Sequence, residues 1–159
     1  MQILNHARDY VYITTPYLIL DNEMLSALCL AAQSGVDVRI ITPHVPDKWY
    51  VHMVTRSYYQ QLVAGGVRIY EYTPGFCHSK LSVIDGETAT VGTINLDMRS
   101  LYLHFEDGVL LYDCQAVADV KADLDETLPQ CREVTDKYRT AHWYVNFYRA
   151  VLRLIAPLL

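Results

Sequence analysis

Short runs of β-branched and apolar residues alternate with helix-patterned segments along almost the whole chain, and that alternation leaves few folds open. Tyr10–Thr14, Val36–Ile41 and Val67–Tyr72 read as strands. Between them lie two helices, Asn22–Ser34 with Asp21 as N-cap and Gly35 as C-cap, and Asp47–Val63, closed by Gly65-Gly66. A further strand is expected over Phe105–Tyr112, and helices over Gln115–Leu128 and Asp136–Ile155. Strands separated by helices need crossover connections, so the fold class is α/β: a mixed β-sheet flanked by helices on both faces. The 159 residues suit a single domain, 1–159, with a terminal helix at about 136–156. At 52% hydrophobic and 19% charged residues, composition excludes a disordered chain.

One hairpin in this pattern carries chemistry. His78, Lys80, Asp85, Gly92, Thr93 and Asn95 stand in the register H-x-K-x4-D-x6-G-T-x-N. Chance would produce it on the order of a few times in a million chains of this length. Leu81, Val83 and Ile84 precede an Asp85-Gly86 turn signal, and Thr88, Thr90 and Val91 begin a second β-branched run. In an extended chain side chains alternate faces, so His78 and Lys80 point the same way and can share one phosphate. Gly92-Thr93-Ile94-Asn95 falls at the end of the second strand, where Thr93 and Asn95 face the same pocket. An imidazole, an ammonium, a hydroxyl and a carboxamide supply one nucleophile or acid and three donors for an oxyanion, the parts needed to attack a phosphodiester without a metal. Asp85 lies roughly 16 Å of strand from Lys80, so the residues alone read it as a turn or interface residue.

Other chemistries find less support. The formal net charge is −5 with no Lys/Arg cluster, which weighs against a nucleic-acid partner. The four cysteines, at 29, 77, 114 and 131, show no C-x-x-C spacing and read as reduced thiols, Cys29 as core filler. The six histidines lack metal-ligand spacing, and neither a G-x-S-x-G nor a Gly-rich phosphate loop is present. No metal and no cofactor is expected.

The register resembles the phospholipase D superfamily, and several further segments are similar to bacterial cardiolipin synthases. They include Tyr12-Ile-Thr-Thr-Pro-Tyr17, Gly66-Val-Arg-Ile-Tyr-Glu-Tyr72, Asn95-Leu-Asp-Met-Arg-Ser-Leu-Tyr102, His104-Phe-Glu106 and the ending Leu152-Arg-Leu-Ile-Ala-Pro-Leu-Leu159. The resemblance covers only the C-terminal phospholipase D domain of such enzymes. Met98 stands where Tyr is expected, and Asp107 where Cys or Asn is common.

The resemblance implies a phospholipase D-like fold and a phosphatidyltransferase in which two motif-bearing domains meet. It implies that one His forms a phosphohistidine and the other protonates the leaving alkoxide. His78 is expected as the general acid, with nucleophile as the alternative. Lys80, Thr93 and Asn95 would bind the substrate phosphate, Asp85 belongs to the catalytic motif, and Glu106 would orient His78 or else be an exposed strand-end carboxylate. Arg56, within Thr55-Arg-Ser-Tyr-Tyr59, is the candidate headgroup contact, against a solvated helix charge. The implied substrate is phosphatidylglycerol, two molecules giving cardiolipin and glycerol. The implied partners are a second phospholipase D domain, whether a missing N-terminal half or a homodimer mate, and a membrane surface. A homodimeric phosphodiesterase or nuclease and an inactive lipid-binding fragment are the alternatives. No segment reaches 18 uncharged apolar residues and no secretory signal pattern is seen, so a peripheral place at the bacterial inner membrane is expected. The aromatic stretch from Trp143 would pack as an ordinary amphipathic helix, or lie against an interface or an acyl-chain groove.

Overall fold

The computed structural model describes residues 2–140 and 142–156. Three strands, β1 (Tyr10–Thr14), β2 (Asp37–Pro43) and β3 (Arg68–Tyr72), run parallel in the middle of one sheet, with Val11 opposite Val38 and Ile40 opposite Ile69. Both faces of these strands are covered, so Val11, Tyr12 and Ile13 are all buried rather than alternating with polar residues. The antiparallel strands β4 (Leu81–Ile84), β5 (Thr88–Gly92) and β6 (Gly108–Tyr112) extend one side, and β7 (Cys131–Glu133) closes the other. The order is β6-β5-β4-β1-β2-β3-β7.

Helices α1 (Gln2–His6), α2 (Asn22–Gln33) and α3 (Trp49–Ala64) cover one face, joined by α6 (Thr135–Arg139) and α7 (Trp143–Ile155). Leu28, Tyr59, Leu62, Tyr138 and Leu152 from this layer share a core with Val11, Ile40 and Ile69. Helix α5 (Gln115–Thr127) covers the other face, setting Val117 and Leu124 against Tyr12, Ile41 and Val83. The expected mixed sheet between helical layers is what forms.

Local boundaries differ where tertiary contacts decide. Asp21 caps α2 by accepting from the Met24 N–H at 2.7 Å, but the C-cap is Ser34, with Gly35 following at a φ of 98°. The short helix α4 (Met98–Tyr102), capped by Asp97, ends in Leu103 and His104 N–H groups that both donate to the Arg99 carbonyl. That holds Phe105 to Asp107 out of the sheet, so β6 starts at Gly108 rather than Phe105. The single helix expected over 136–155 is two. Thr140 is extended at φ −126° and ψ 140°, ending α6 just after the buried Tyr138, edge-on to Tyr59, and α7 starts at Trp143.

Gly65, at the end of α3, answers a packing need. A Cβ there would lie 2.3 Å from Cys29 Sγ and 2.6 Å from Cys29 Cβ. Gly65→Ala is expected to lower stability by about 1–3 kcal/mol through overpacking, read as a drop in the urea midpoint, with partial recovery in Gly65→Ala/Cys29→Ala.

Candidate functional site

The β4–β5 hairpin is pinned at its turn. Asp85 adopts a φ of 53° and Gly86 a φ of 69°. The Asp85 carboxylate accepts from the N–H groups of Arg8 at 2.7 Å, Asp9 at 2.9 Å and Tyr10 at 2.8 Å. Burial pushes its pKa up, but these three donors outweigh burial, and the carboxyl stays below its ordinary value. The structure thus separates Asp85 from the residues its motif groups it with: it sits at the opposite end of β4 from Lys80 and clamps the entry to β1. Because its folded pKa is depressed, its contribution is present above about pH 4 and is lost as pH falls through the folded value. Asp85→Asn is expected to cost about 1–2 kcal/mol at pH 7, the low end for charge-assisted bonds that solvent reaches. Unfolding midpoints should show the variant losing less stability than wild type between neutral pH and about pH 2.

The other end of the hairpin carries the candidate site. Leu81 pairs with Thr14 and Val91, so the residues before β4 emerge at the C-terminal end of β1, beside the end of β5. His78, Ser79 and Lys80 lie just outside the ladder yet keep the two-residue alternation. Lys80 Nζ is 2.9 and 3.0 Å from the two ring nitrogens of His78 and 2.7 Å from its carbonyl oxygen, while Cys77 Sγ and Ser79 Oγ meet at 3.1 Å. Desolvation first, and then the Lys80 ammonium, lower the His78 pKa. Desolvation also lowers that of Lys80, against the opposing pull of Glu106.

Gly92 lets two strands approach: a Cβ there would sit 2.3 Å from the Asp107 carbonyl oxygen and 2.7 Å from Gly108 Cα. The approach brings Thr93 against residues 106 and 107. Its hydroxyl donates to Glu106 Oε2 and accepts from the Asp107 N–H at 3.0 Å, and its own N–H donates to the Asp107 carbonyl at 2.9 Å. Glu106 is therefore engaged by Thr93, and that bond, with one from Ser100, lowers its pKa. Among the described residues His78 makes its side-chain hydrogen bonds with Lys80. Asn95 Nδ2 donates to Ser100 Oγ at 3.1 Å, leaving the buried Asn95 Oδ1 without a partner.

His78, Lys80, Thr93 and Asn95 line one open depression of about 440 Å³. Asn95 and Glu106 also border a polar cavity of about 330 Å³ with Lys48, Tyr50, Arg99 and His104. Sequence reasoning gave Lys48, Arg99 and His104 no role of their own, because Lys48 precedes α3 while Arg99 and His104 lie in and just after α4, about fifty residues on, with no shared spacing. Arg56 is placed differently from both expectations for it. Its guanidinium holds the Glu71 carboxylate at 2.9 and 3.0 Å, and His44 Nδ1 lies 2.8 Å from Glu71 Oε2. Arg56 thus neutralises a carboxylate buried in the fold. Among the described residues no three His, Cys, Asp or Glu side chains are grouped to hold a metal ion.

The chain is similar to known proteins. A cardiolipin synthase of Halalkalibacterium halodurans is 41% identical over 158 residues, 99% of this chain and 31% of that protein. The chain spans about a third of the length of the curated relatives it matches. Among solved structures, the phospholipase D family member Nuc from Salmonella typhimurium superposes with a TM-score of 0.72 at 16% identity, covering 83% of this chain and 86% of that one. Phosphatidylserine synthase from Haemophilus influenzae superposes with a TM-score of 0.74 at 17% identity, over 99% of this chain and 43% of that one. At such identities the likeness is one of fold, and the fold is phospholipase D-like. The profile of the phospholipase D-like domain of cardiolipin synthases matches residues 1–128, which hold six of the seven strands, the hairpin and the depression at its end, and the chain belongs to that family.

Proposed function

We propose that the chain is one catalytic domain of a phosphatidyltransferase that joins two phosphatidylglycerols into cardiolipin and glycerol. The observation that carries this is the convergence of His78, Lys80, Thr93 and Asn95 on one depression. A histidine of a second motif-bearing domain attacks phosphorus to give a phosphohistidine, while His78 gives its proton to the departing glycerol oxygen. In the return step His78 takes a proton from a hydroxyl of the second phosphatidylglycerol, whose oxygen displaces the histidine. The reverse assignment, with His78 as nucleophile, uses the same contacts. The Lys80 ammonium and the second N–H of the Asn95 amide stabilise charge on the pentacoordinate phosphorus, and the Thr93 hydroxyl joins them once its hydrogen turns from Glu106 to the phosphate. An anionic phosphate between Lys80 and His78 offsets the lowering of the His78 pKa seen in the free site.

A second domain has a natural seat. β6 is an edge strand with Val109, Leu110 and Tyr112 exposed, and Val91, Ile94 and Phe105 beside the depression are exposed as well. The domain works at the surface of the bacterial inner membrane, where its substrate resides. The polar cavity with Lys48, Arg99 and His104 suits the headgroup of one substrate.

The test is phosphatidylglycerol turnover, with cardiolipin measured by mass spectrometry, across chain concentrations whose oligomeric state is known from sedimentation equilibrium. It is repeated with the preceding part of a full-length relative added. Cardiolipin formation that His78→Ala abolishes supports the reading, whether a homodimer or the added domain completes the site. Turnover equal in both forms, or none in either setting, overturns it.

A further inference from the structure

Helix α7 carries its amphipathy inside out. Leu152 and Ala156 are buried in the core, and the two arginines lie on the same inward side. Arg149 Nη1 donates to Gln60 Oε1 at 2.8 Å, and Arg153 Nη1 donates to the Ser57 carbonyl at 2.9 Å, both on α3. At about 100° per residue, Trp143, Phe147, Ala150, Val151 and Leu154 share the opposite face. All five are exposed, Trp143 at 80% and Leu154 at 79%. Tyr144 and Tyr148 flank them, and the face holds no charged side chain. The sequence left ordinary packing as one reading of this helix. Ordinary packing would turn the aromatic stripe inward and the arginines out, and the structure does the reverse.

The face continues toward the candidate site. The Tyr148 hydroxyl lies 3.4 Å from Met53 Sδ, one turn of α3 from the exposed Trp49 and Tyr50, and Tyr50 lines the cavity that Asn95 and Glu106 border. We infer that α7 seats the domain on a lipid bilayer, with its outward face in the interfacial layer. The inference rests on the proposed lipid substrate. A two-chain lipid does not leave the bilayer, because every methylene would have to be rehydrated, so the site must come to the surface. Tryptophan and tyrosine beside aliphatic residues are the side chains that settle at that boundary. Charge complementarity sets the kind of lipid. With both arginines turned inward and a chain charge of −5, binding is apolar and requires no anionic headgroup.

Trp143 reports on this directly in the chain carrying Trp49→Phe, which leaves it as the single tryptophan. Mixed with zwitterionic phosphatidylcholine vesicles bearing brominated acyl chains, its emission should shift to the blue and be quenched equally at low and high salt. Phe147→Glu/Leu154→Glu should weaken partition on the order of tenfold or more while leaving turnover of detergent-dispersed phosphatidylglycerol unchanged. Quenching without turnover, even when the preceding part of a full-length relative is added, would overturn the proposed reaction and leave this inference standing. No quenching, or quenching only with anionic lipid and lost at high salt, would overturn the inference. So would a Trp143 already blue-shifted without lipid in a chain that sediments as a dimer, since a second copy would then cover the face.

Discussion

Glu71→Ala is expected to remove about 3–5 kcal/mol of stability, the cost of leaving a partly buried charge without its partner. Glu71 is 2% exposed, and its two oxygens are shared between the Arg56 guanidinium and the His44 ring. Deleting the carboxylate strands Arg56, whose side chain is only 31% exposed. Against a net stability of about 5–15 kcal/mol that is roughly a fifth or more. The urea midpoint should fall by the corresponding amount. The double variant Glu71→Leu/Arg56→Met should recover most of it, because removing both charges also removes the desolvation penalty. A double variant as unstable as Glu71→Ala would mean that the pair's geometry, rather than its uncompensated charge, is what matters.

Lys80→Ala should cut turnover of phosphatidylglycerol by about 10²–10³-fold, the loss that follows removal of one preorganised donor to a developing oxyanion. His78→Ala should cost on the order of 10⁴-fold or more, since His78 is the imidazole of the depression, the group whose pKa near neutrality suits it to carry the proton or the bond to phosphorus. The two variants differ in pH dependence. Lys80 is the second cause of the lowered His78 pKa, after desolvation, so removing it lets that pKa rise. Whichever limb of the kcat profile His78 sets should therefore move to higher pH in Lys80→Ala. A profile that falls without moving would show that Lys80 does not act on His78 during turnover.

The end of the hairpin that carries the candidate site was readable in the sequence because it depends on local rules: a two-residue period places His78 beside Lys80, and Asp85-Gly86 marks the turn. What depended on distant partners was not. Arg56 meets a carboxylate 15 residues away on another element. Three residues of β7 are too few to announce a strand, and they form one because β3 offers them an open edge, Tyr70 opposite Glu133 and Tyr72 opposite Cys131. The apolar stripe of α7 was visible in its spacing, but periodicity says only that a helix has two sides. Arg149 and Arg153 bonding to α3 decide which side faces the protein.

The clamp at Asp85 bears on how variants in this family should be interpreted. By fixing the backbone of residues 8 to 10 against the hairpin turn, it sets the alignment of β4 on β1, Ile84 against Val11 and Leu81 against Thr14. A slip of one residue would send every β4 side chain, and the extended segment leading to His78 and Lys80, to the wrong face. The loss of an Asp85 variant in an activity assay would then look like the loss of a catalytic group. It would be a frame error, transmitted the length of a strand from a carboxylate at the opposite end of β4 from Lys80.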